Sequence, residues 1–264
     1  MYREYWGLSH APFQTVPDPD FFCPFSAYQE ILDKLFYVVE YGKGAAMITG
    51  EIGSGKSTLS RVLICQLDEE RFDVGLVINP SIPPKELLYE IALELGISAP
   101  KVQRSALFRA INDHLLTNAQ QGKSTVLIID EAHSITHKAV FEDLRMLLNF
   151  QLSDRHLLSL ILFGQPDLKE AIADRRALDQ RVAIRVNLGP LSLEETASYI
   201  EFRLEKAGGT QRIFTDEAIT MIHRDTGGIP RSINNLCDLC LLEGMRKHVK
   251  EVDGSFVKAL RPSA

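Results

Sequence analysis

The sequence predicts a three-layer αβα fold, in which a parallel five-stranded sheet lies between two layers of helices and a C-terminal α-helical lid follows. Five short apolar runs, at residues 45–49, 73–79, 126–129, 157–163 and 182–188, alternate with helix-forming segments. Such alternation is typical of a parallel sheet covered on both faces. A glycine-rich turn joins the first run to a helix, and only helical patterns remain after Gly189-Pro190.

Composition indicates a soluble globular chain. Its 264 residues are 45% hydrophobic and 24% charged, which suits a large domain and a small one. The formal charge of -6 gives no support to nucleic-acid binding. We expect no signal peptide and no membrane span, because the N-terminus lacks an apolar core and the most apolar run, residues 157–164, is too short. These features predict a cytoplasmic protein.

Three regions follow from these patterns. Residues 1–25 are rich in aromatic residues and proline and are predicted to form an arm that packs on the core. Residues 26–189 form the predicted α/β domain, and residues 190–264 form the predicted lid.

Helix-end signals divide the segments between the strands. Within the α/β domain, helices are predicted before Gly42, over residues 59–67, from Pro83-Pro84 to Gly96, and before Gly122.

In the lid, a capping box at Ser192 and Glu195 begins one helix and Thr215 begins the next. A third helix carries Cys237 and Cys240 at helical spacing. We interpret this pair as core packing, with a metal or redox site as the alternative.

The glycine-rich turn fits the pattern G-x-x-x-x-G-K-[ST], which is filled by Gly50, Gly55, Lys56 and Ser57. Glycines allow backbone N–H groups to approach a phosphate chain, and the following helix adds its positive end. Lys56 supplies a point charge for the β- and γ-phosphates, and the Ser57 hydroxyl is a ligand for Mg²⁺. The alternative is a turn that only resembles a P-loop. The predicted phosphate-binding residues are Gly50, Glu51, Ile52, Gly53, Ser54, Gly55, Lys56, Ser57 and Thr58.

Two acids end the third apolar run, as in a Walker B segment. Asp130 is predicted to help hold Mg²⁺ through its water shell, and Glu131 to polarise the attacking water as general base. An apolar strand that ends in two acids is weak evidence alone, but the P-loop upstream strengthens it.

Four further polar residues are candidates for the same chemistry. Gln165 ends the fourth run, where parallel strands gather functional groups, and is predicted to orient water between the two Walker segments. Arg181, or else Arg176, is predicted to reach the ATP site of a neighbouring subunit and neutralise the charge on the γ-phosphate there. Arg231 begins a lid helix and is predicted to reach nucleotide phosphate. The alternative for each is an ordinary polar surface residue.

Taken in order, these segments resemble AAA+ ATPases, and more narrowly the ExeA/GspA-type ATPases of bacterial secretion and pilus assembly. The resemblance covers nearly the whole chain. The resemblance rests on the following stretches: the opening residues 5–19, the P-loop, Asp-Glu-Ala-His at 130–133, residues 144–150 with Gly-Gln-Pro-Asp at 164–167, and residues 228–238, which begin with Gly-Ile-Pro-Arg. Gln165 replaces the Asn or Thr usual in AAA+ proteins at large but is normal for this subgroup.

This resemblance implies binding of ATP and Mg²⁺, a nucleotide-dependent homo-oligomer (ring or filament), and a protein partner in an envelope assembly system. Longer ExeA proteins continue into a membrane span and a periplasmic peptidoglycan-binding domain, whereas this sequence ends at Ala264. If the chain is complete, we expect a separate membrane protein to contact the cell wall.

The core also resembles AAA+ regulators of DNA transposition, which form filaments on DNA. Those proteins need a basic inner surface, so the net charge argues mildly against this alternative.

Overall fold

The computed structural model describes residues 2–98 and 103–260. It contains two compact units. The sheet unit comprises residues 26–52 and 56–188, and the helical unit comprises the N-terminal residues to 25, residues 53–55, and the residues from 189 onward.

The sheet unit contains the predicted parallel sheet. Its strands are β1 (Ala45–Gly50), β2 (Phe72–Val77), β3 (Ser124–Ile129), β4 (Leu158–Gly164) and β5 (Val182–Leu188). They pair in the order β2-β3-β4-β1-β5, and every pairing is parallel. The central strands β1 and β4 are buried at every position, whereas the edge strand β5 is exposed at Ala183, Arg185 and Asn187.

Helices account for most of the remaining regular structure. They are α1 (Tyr2–Trp6), α2 (Ser26–Glu40), α3 (Lys56–Gln66), α4 (Pro84–Glu94), α5 (Arg104–Gln120), α6 (Lys138–Leu147), α7 (Leu168–Ala173), α8 (Arg176–Asp179), α9 (Leu193–Lys206), α10 (Asp216–Thr226), α11 (Pro230–Arg246) and α12 (Gly254–Ala259).

The two faces of the sheet have separate apolar layers. Met47, Leu127 and Leu160 belong to a buried cluster with residues of α4, α5 and α6. The alternate strand positions, such as Ile48, are equally buried. Helices α2 and α3, which are not part of that cluster, also contact the strands. Because successive strand residues point to opposite faces, both layers come from the same apolar runs. The predicted three-layer fold is confirmed.

Between the third strand and the fifth, the sequence patterns predicted β4 alone. The structure has α6, α7 and α8 there. Helix α6 has clear helical spacing, since Val140, Phe141, Leu144 and Leu147 are all buried on one side. Helices α7 and α8 are too short, at six and four residues, for periodicity to mark them.

The predicted capping box is present at the start of α9. The Ser192 hydroxyl accepts a hydrogen bond from the Glu195 backbone N–H (3.1 Å), and the Glu195 carboxylate accepts one from the Ser192 N–H (2.8 Å). In α11, Cys237 and Cys240 are fully buried. Burial raises the pKa of the Cys240 thiol to about 12 and that of Cys237 well above its ordinary value. Both thiols are therefore protonated at neutral pH and act as core residues.

The N-terminal arm belongs to the helical unit, where side chains of two helices bind it; its packing on the α/β core stays a prediction. The Trp6 indole N–H donates to the Leu241 carbonyl (2.9 Å). The buried Arg203 guanidinium donates to the carbonyls of Pro12 and Gln14. Backbone carbonyls without a helix or sheet partner need such donors, and Arg203 of α9 and Asn234 of α11 supply them to the arm. Aromatic composition alone does not specify which surface receives the arm.

Among the described residues, no helix is long and apolar enough to cross a membrane.

Replacing Trp6 with alanine tests the arm contact. Trp6 is only 8% exposed, and its ring lies against Gly244 of α11, where an added Cβ would be 2.7 Å from Trp6 Cζ2. We expect Trp6→Ala to lower the free energy of unfolding by about 3 kcal/mol, because a large buried side chain and its hydrogen bond are lost. Urea unfolding followed by circular dichroism measures this. Tyr41→Ala, at a residue that is 59% exposed, should change it by less than about 1 kcal/mol.

Gly244→Ala provides a coupled test of the same contact. In the wild type the new methyl group meets the Trp6 ring, so we expect destabilisation of about 1 kcal/mol or more. In the Trp6→Ala background the ring is gone, and alanine should stabilise α11 by up to about 1 kcal/mol over glycine. Equal effects in the two backgrounds would show that Trp6 does not occupy this position.

Candidate nucleotide-binding site

The P-loop lies between β1 and α3. Strand β1 ends at Gly50, and α3 begins at Lys56. Gly53 and Gly55 have φ angles of +81° and +100°, which favour glycine strongly. The first N–H groups of α3 have no partner within the helix, so they are available to an anion at its N-terminus.

Lys56 is buried (5% exposed), and its Nζ atom donates to the carbonyls of Gly50 (2.8 Å) and Glu51 (2.9 Å). Two backbone carbonyls at the start of the P-loop therefore hold the Lys56 ammonium group in place. Ser57 and Thr58 are partly buried in the first turn of α3, while Glu51 and Ile52 are exposed. A cation and a glycine-lined loop before a helix N-terminus fit a nucleotide phosphate chain.

Within the helical unit, the residue pair Gly53 and Arg231 is in direct contact. The Arg231 backbone N–H donates to the Gly53 carbonyl (3.1 Å), and a Cβ on Gly53 would lie 2.7 Å from Arg231 Cβ. Gly53 therefore serves two purposes, since it adopts a positive φ and admits the start of α11. The nucleotide-binding role of Arg231 stays a prediction.

The carboxyl ends of three strands bring the other predicted residues to one edge of the sheet. Strand β4 lies between β1 and β3, with Thr49 opposite Gly164 and Ile129 opposite Leu162. Gln165, which follows β4, therefore lies between the strand of the P-loop and the strand of the two acids. This is the position that the sequence predicted for it; its catalytic role is a prediction still.

The two acids differ in their surroundings. Asp130 is 5% exposed, and its Oδ1 atom accepts a hydrogen bond from the Glu131 backbone N–H (2.9 Å). Glu131 has a left-handed backbone (φ +52°), and its side chain is 46% exposed. A buried acid suits a fixed ligand role, and an exposed one suits a base that water reaches.

His133 is a neighbour that the sequence analysis did not propose as a site residue. It lies in a 3₁₀ turn at Ala132–Ser134, directly after Glu131. Its Nε2 atom is 2.6 Å from Gln165 Nε2 and 3.4 Å from Glu131 Oε2. The sequence contained His133 within Asp-Glu-Ala-His, but its contact with Gln165 depends on the order of strands in the sheet.

The predicted arginines lie away from the P-loop of their own chain. The Arg181 carbonyl accepts a hydrogen bond from the backbone N–H of Ala45, the first residue of β1. Arg181 therefore lies at the amino-terminal end of the strands, whereas Gly50 lies at their carboxyl end. A six-residue strand separates the two by about 17 Å. The Arg181 guanidinium donates to the Ala177 carbonyl and to Asn149 Oδ1. Arg176 is exposed on α8, beside a cleft of about 350 Å³.

Comparisons with known proteins agree with this geometry. A model of the family described as AAA domain matches residues 39–172, just over half of the chain. The chain is 39% identical over 245 residues to general secretion pathway protein A of Aeromonas hydrophila, which covers 92% of this chain but 44% of that protein. It is 30% identical to a protein of Methanocaldococcus jannaschii named as an uncharacterized HTH-type transcriptional regulator, over 95% of this chain and 71% of that protein.

Solved structures show the same fold. The ORC1 protein of Aeropyrum pernix, solved in complex with DNA, superposes with a TM-score of 0.71 at 15% identity, covering 95% of this chain and 68% of that one. The RuvB branch-migration motor of Thermotoga maritima gives 0.59 at 20% identity, covering 88% and 67%. Together with the P-loop and the two acids, these similarities show that the chain belongs to the AAA family of P-loop ATPases.

Proposed function

We propose that the chain hydrolyses Mg²⁺-ATP at sites shared between neighbouring subunits, and that this cycle drives assembly of bacterial envelope secretion or pilus machinery. The observation that carries the ATPase proposal is the sheet edge itself. There a P-loop with its buried Lys56 and the sequence Asp130-Glu131 occupy strand ends on either side of Gln165.

Each residue of this edge has a role that suits its surroundings. The P-loop backbone and Lys56 bind the phosphates, and Ser57 and Asp130 hold Mg²⁺, directly or through its waters. Bound Mg²⁺ would neutralise phosphate charge. Glu131 polarises water, and Gln165 orients it. Arg231 contacts phosphate from the start of α11. The buried acid, Asp130, suits a ligand with fixed geometry, and the exposed acid, Glu131, suits a base that needs access to water.

An arginine from a second subunit completes the site in this proposal. Arg181 is about 17 Å along the sheet from its own P-loop, so it serves a neighbour or serves none. Its guanidinium is supported by Asn149 and the Ala177 carbonyl, which reduces its freedom before a neighbour arrives. Arg176, the second candidate, is exposed on the same segment.

The envelope role rests on the Aeromonas relative, whose name assigns it to the general secretion pathway. The chain spans less than half of that protein's length, so pathway, partner and cytoplasmic location are proposals. The net charge of -6 favours a protein partner over DNA.

Glu131→Gln tests the chemistry. We expect the variant to bind ATP as the wild type does and to turn it over at least about 100-fold more slowly, because the general base is lost while shape is kept. Steady-state hydrolysis and binding of a fluorescent ATP analogue measure the two effects. Glu30→Gln, at an exposed acid on α2, is the matched control and should keep wild-type values. A Glu131→Gln variant as fast as the wild type would exclude Glu131 as the base.

Mixing two inactive variants tests the shared site. Arg181→Ala should lower kcat at least about 100-fold, and Lys56→Ala should abolish nucleotide binding. In a mixture, the intact P-loop of one variant meets the intact Arg181 of the other, so we expect a substantial part of the activity to return. Mixing Lys56→Ala with Arg176→Ala is the comparison. Restoration only in that second mixture would transfer the role to Arg176, and restoration in neither would leave no shared site.

Dependence of the rate on concentration and on DNA tests the partner class. Specific activity of the wild type should rise with protein concentration and should not respond to duplex DNA. Stimulation by DNA, lost at high salt, would favour the transposition-type alternative. In cells that produce the protein, Lys56→Ala should leave its abundance unchanged and prevent envelope complexes from assembling; intact complexes would contradict the pathway proposal.

A further inference from the structure

One ring nitrogen of His133 lies between two side chains of the sheet edge. His133 Nε2 is 2.6 Å from the Gln165 amide and 3.4 Å from Glu131 Oε2. The ring is 14% exposed, while the Glu131 carboxylate beside it is 46% exposed. Two predicted catalytic groups on different strands are thus linked through a third side chain.

The surroundings of the ring indicate where its proton lies. The other nitrogen, Nδ1, is buried and has no hydrogen-bond partner among residues 2–98 and 103–260. An N–H at that position would lose its hydration without gaining an acceptor, whereas Nε2 faces a carboxylate and an amide. The proton therefore belongs on Nε2. The Gln165 amide then presents its oxygen to the ring, since amide oxygen and nitrogen are assigned from their partners.

The backbone holds this arrangement closely. Glu131 has a left-handed conformation that turns the chain sharply after β3, and Ala132 in the following turn is fully buried. A Cβ on Gly164 would lie 3.2 Å from the His133 backbone nitrogen and 2.7 Å from Leu168 Cδ2. The turn that carries His133 therefore packs directly against the end of β4, which precedes Gln165.

We infer that His133 is a positioning residue, whose single Nε2–H bonds Gln165 in the nucleotide-free protein and lies beside Glu131 Oε2, its second acceptor. This inference rests on the proposed ATPase function. An exposed glutamate samples many rotamers, and a fixed donor at Oε2 restricts them while leaving Oε1 for water. When the Gln165 amide turns toward a phosphate, its oxygen leaves the Nε2–H, which then bonds Glu131 Oε2. Occupation of the nucleotide site is in this way linked to orientation of the base.

The proton assignment is tested on the nucleotide-free protein by NMR with ¹⁵N-labelled histidine. The chain has seven histidines, and His133→Phe identifies the signals of this one. We expect the Nε2-protonated tautomer, with an Nε2–H resonance that shifts in both Gln165→Ala and Glu131→Gln. A proton on Nδ1, or a resonance that neither variant moves, would overturn the inference. This readout does not depend on hydrolysis.

Kinetics test the positioning role. His133→Phe keeps the ring volume without a donor, and we expect kcat to fall about tenfold with KM for ATP within about twofold. A glutamine has its amide nitrogen as many bonds from Cβ as histidine Nε2, so His133→Gln should recover most of kcat. His133→Asn places its amide nitrogen near the position of Nδ1 and should not. In a Glu131→Gln background, His133→Phe should have no further effect.

Wild-type kcat in His133→Phe would overturn the inference, and so would equal losses in the phenylalanine and glutamine variants, which indicate a packing role only. Absence of hydrolysis by the wild type, at all protein concentrations, would instead contradict the proposed function. The tautomer measurement then decides the arrangement of His133 by itself.

Discussion

The pairing of β4 with both β1 and β3 is the constraint on which the candidate site depends. Parallel hydrogen bonding fixes the relative heights of the strands, with Thr49 opposite Gly164 and Ile129 opposite Leu162. The P-loop, the two acids and Gln165 come from distant parts of the sequence, and this register brings them to one edge. The fully buried residues of β1 and β4 supply the apolar area that stabilises the pairing.

Backbone conformation adapts this edge to its proposed chemistry. Gly53 and Gly55 have positive φ angles at little cost, whereas Glu131 adopts one with a side chain present. Such a residue costs about 1–3 kcal/mol, which the hydrogen bond from its N–H to Asp130 Oδ1 partly offsets. The strained residue is the proposed base, and its turn also positions His133. Local strain and proposed function therefore coincide at one residue.

Sequence patterns predicted what short-range chemistry determines. Apolar runs marked the five strands, the filled glycine pattern marked the P-loop, and Ser192 with Glu195 marked the start of α9. The hydrogen bonds that hold the arm could not be predicted, because Trp6 and Arg203 find partners that only the packed helices create. The contact between His133 and Gln165 requires two strand ends to meet. Sequence proximity carries no information about such contacts.

The opposite positions of the P-loop and Arg181 constrain the proposed oligomer. A contact that brings Arg181 of one subunit to the P-loop edge of the next joins two different surfaces, so it is heterologous. Repetition of a heterologous contact gives a closed ring or an open filament. A filament leaves one terminal P-loop without an arginine, whereas a ring completes every site. The fraction of nucleotide sites that are active at saturating protein concentration therefore distinguishes a closed ring from an open filament, since only in the ring does every site receive an arginine.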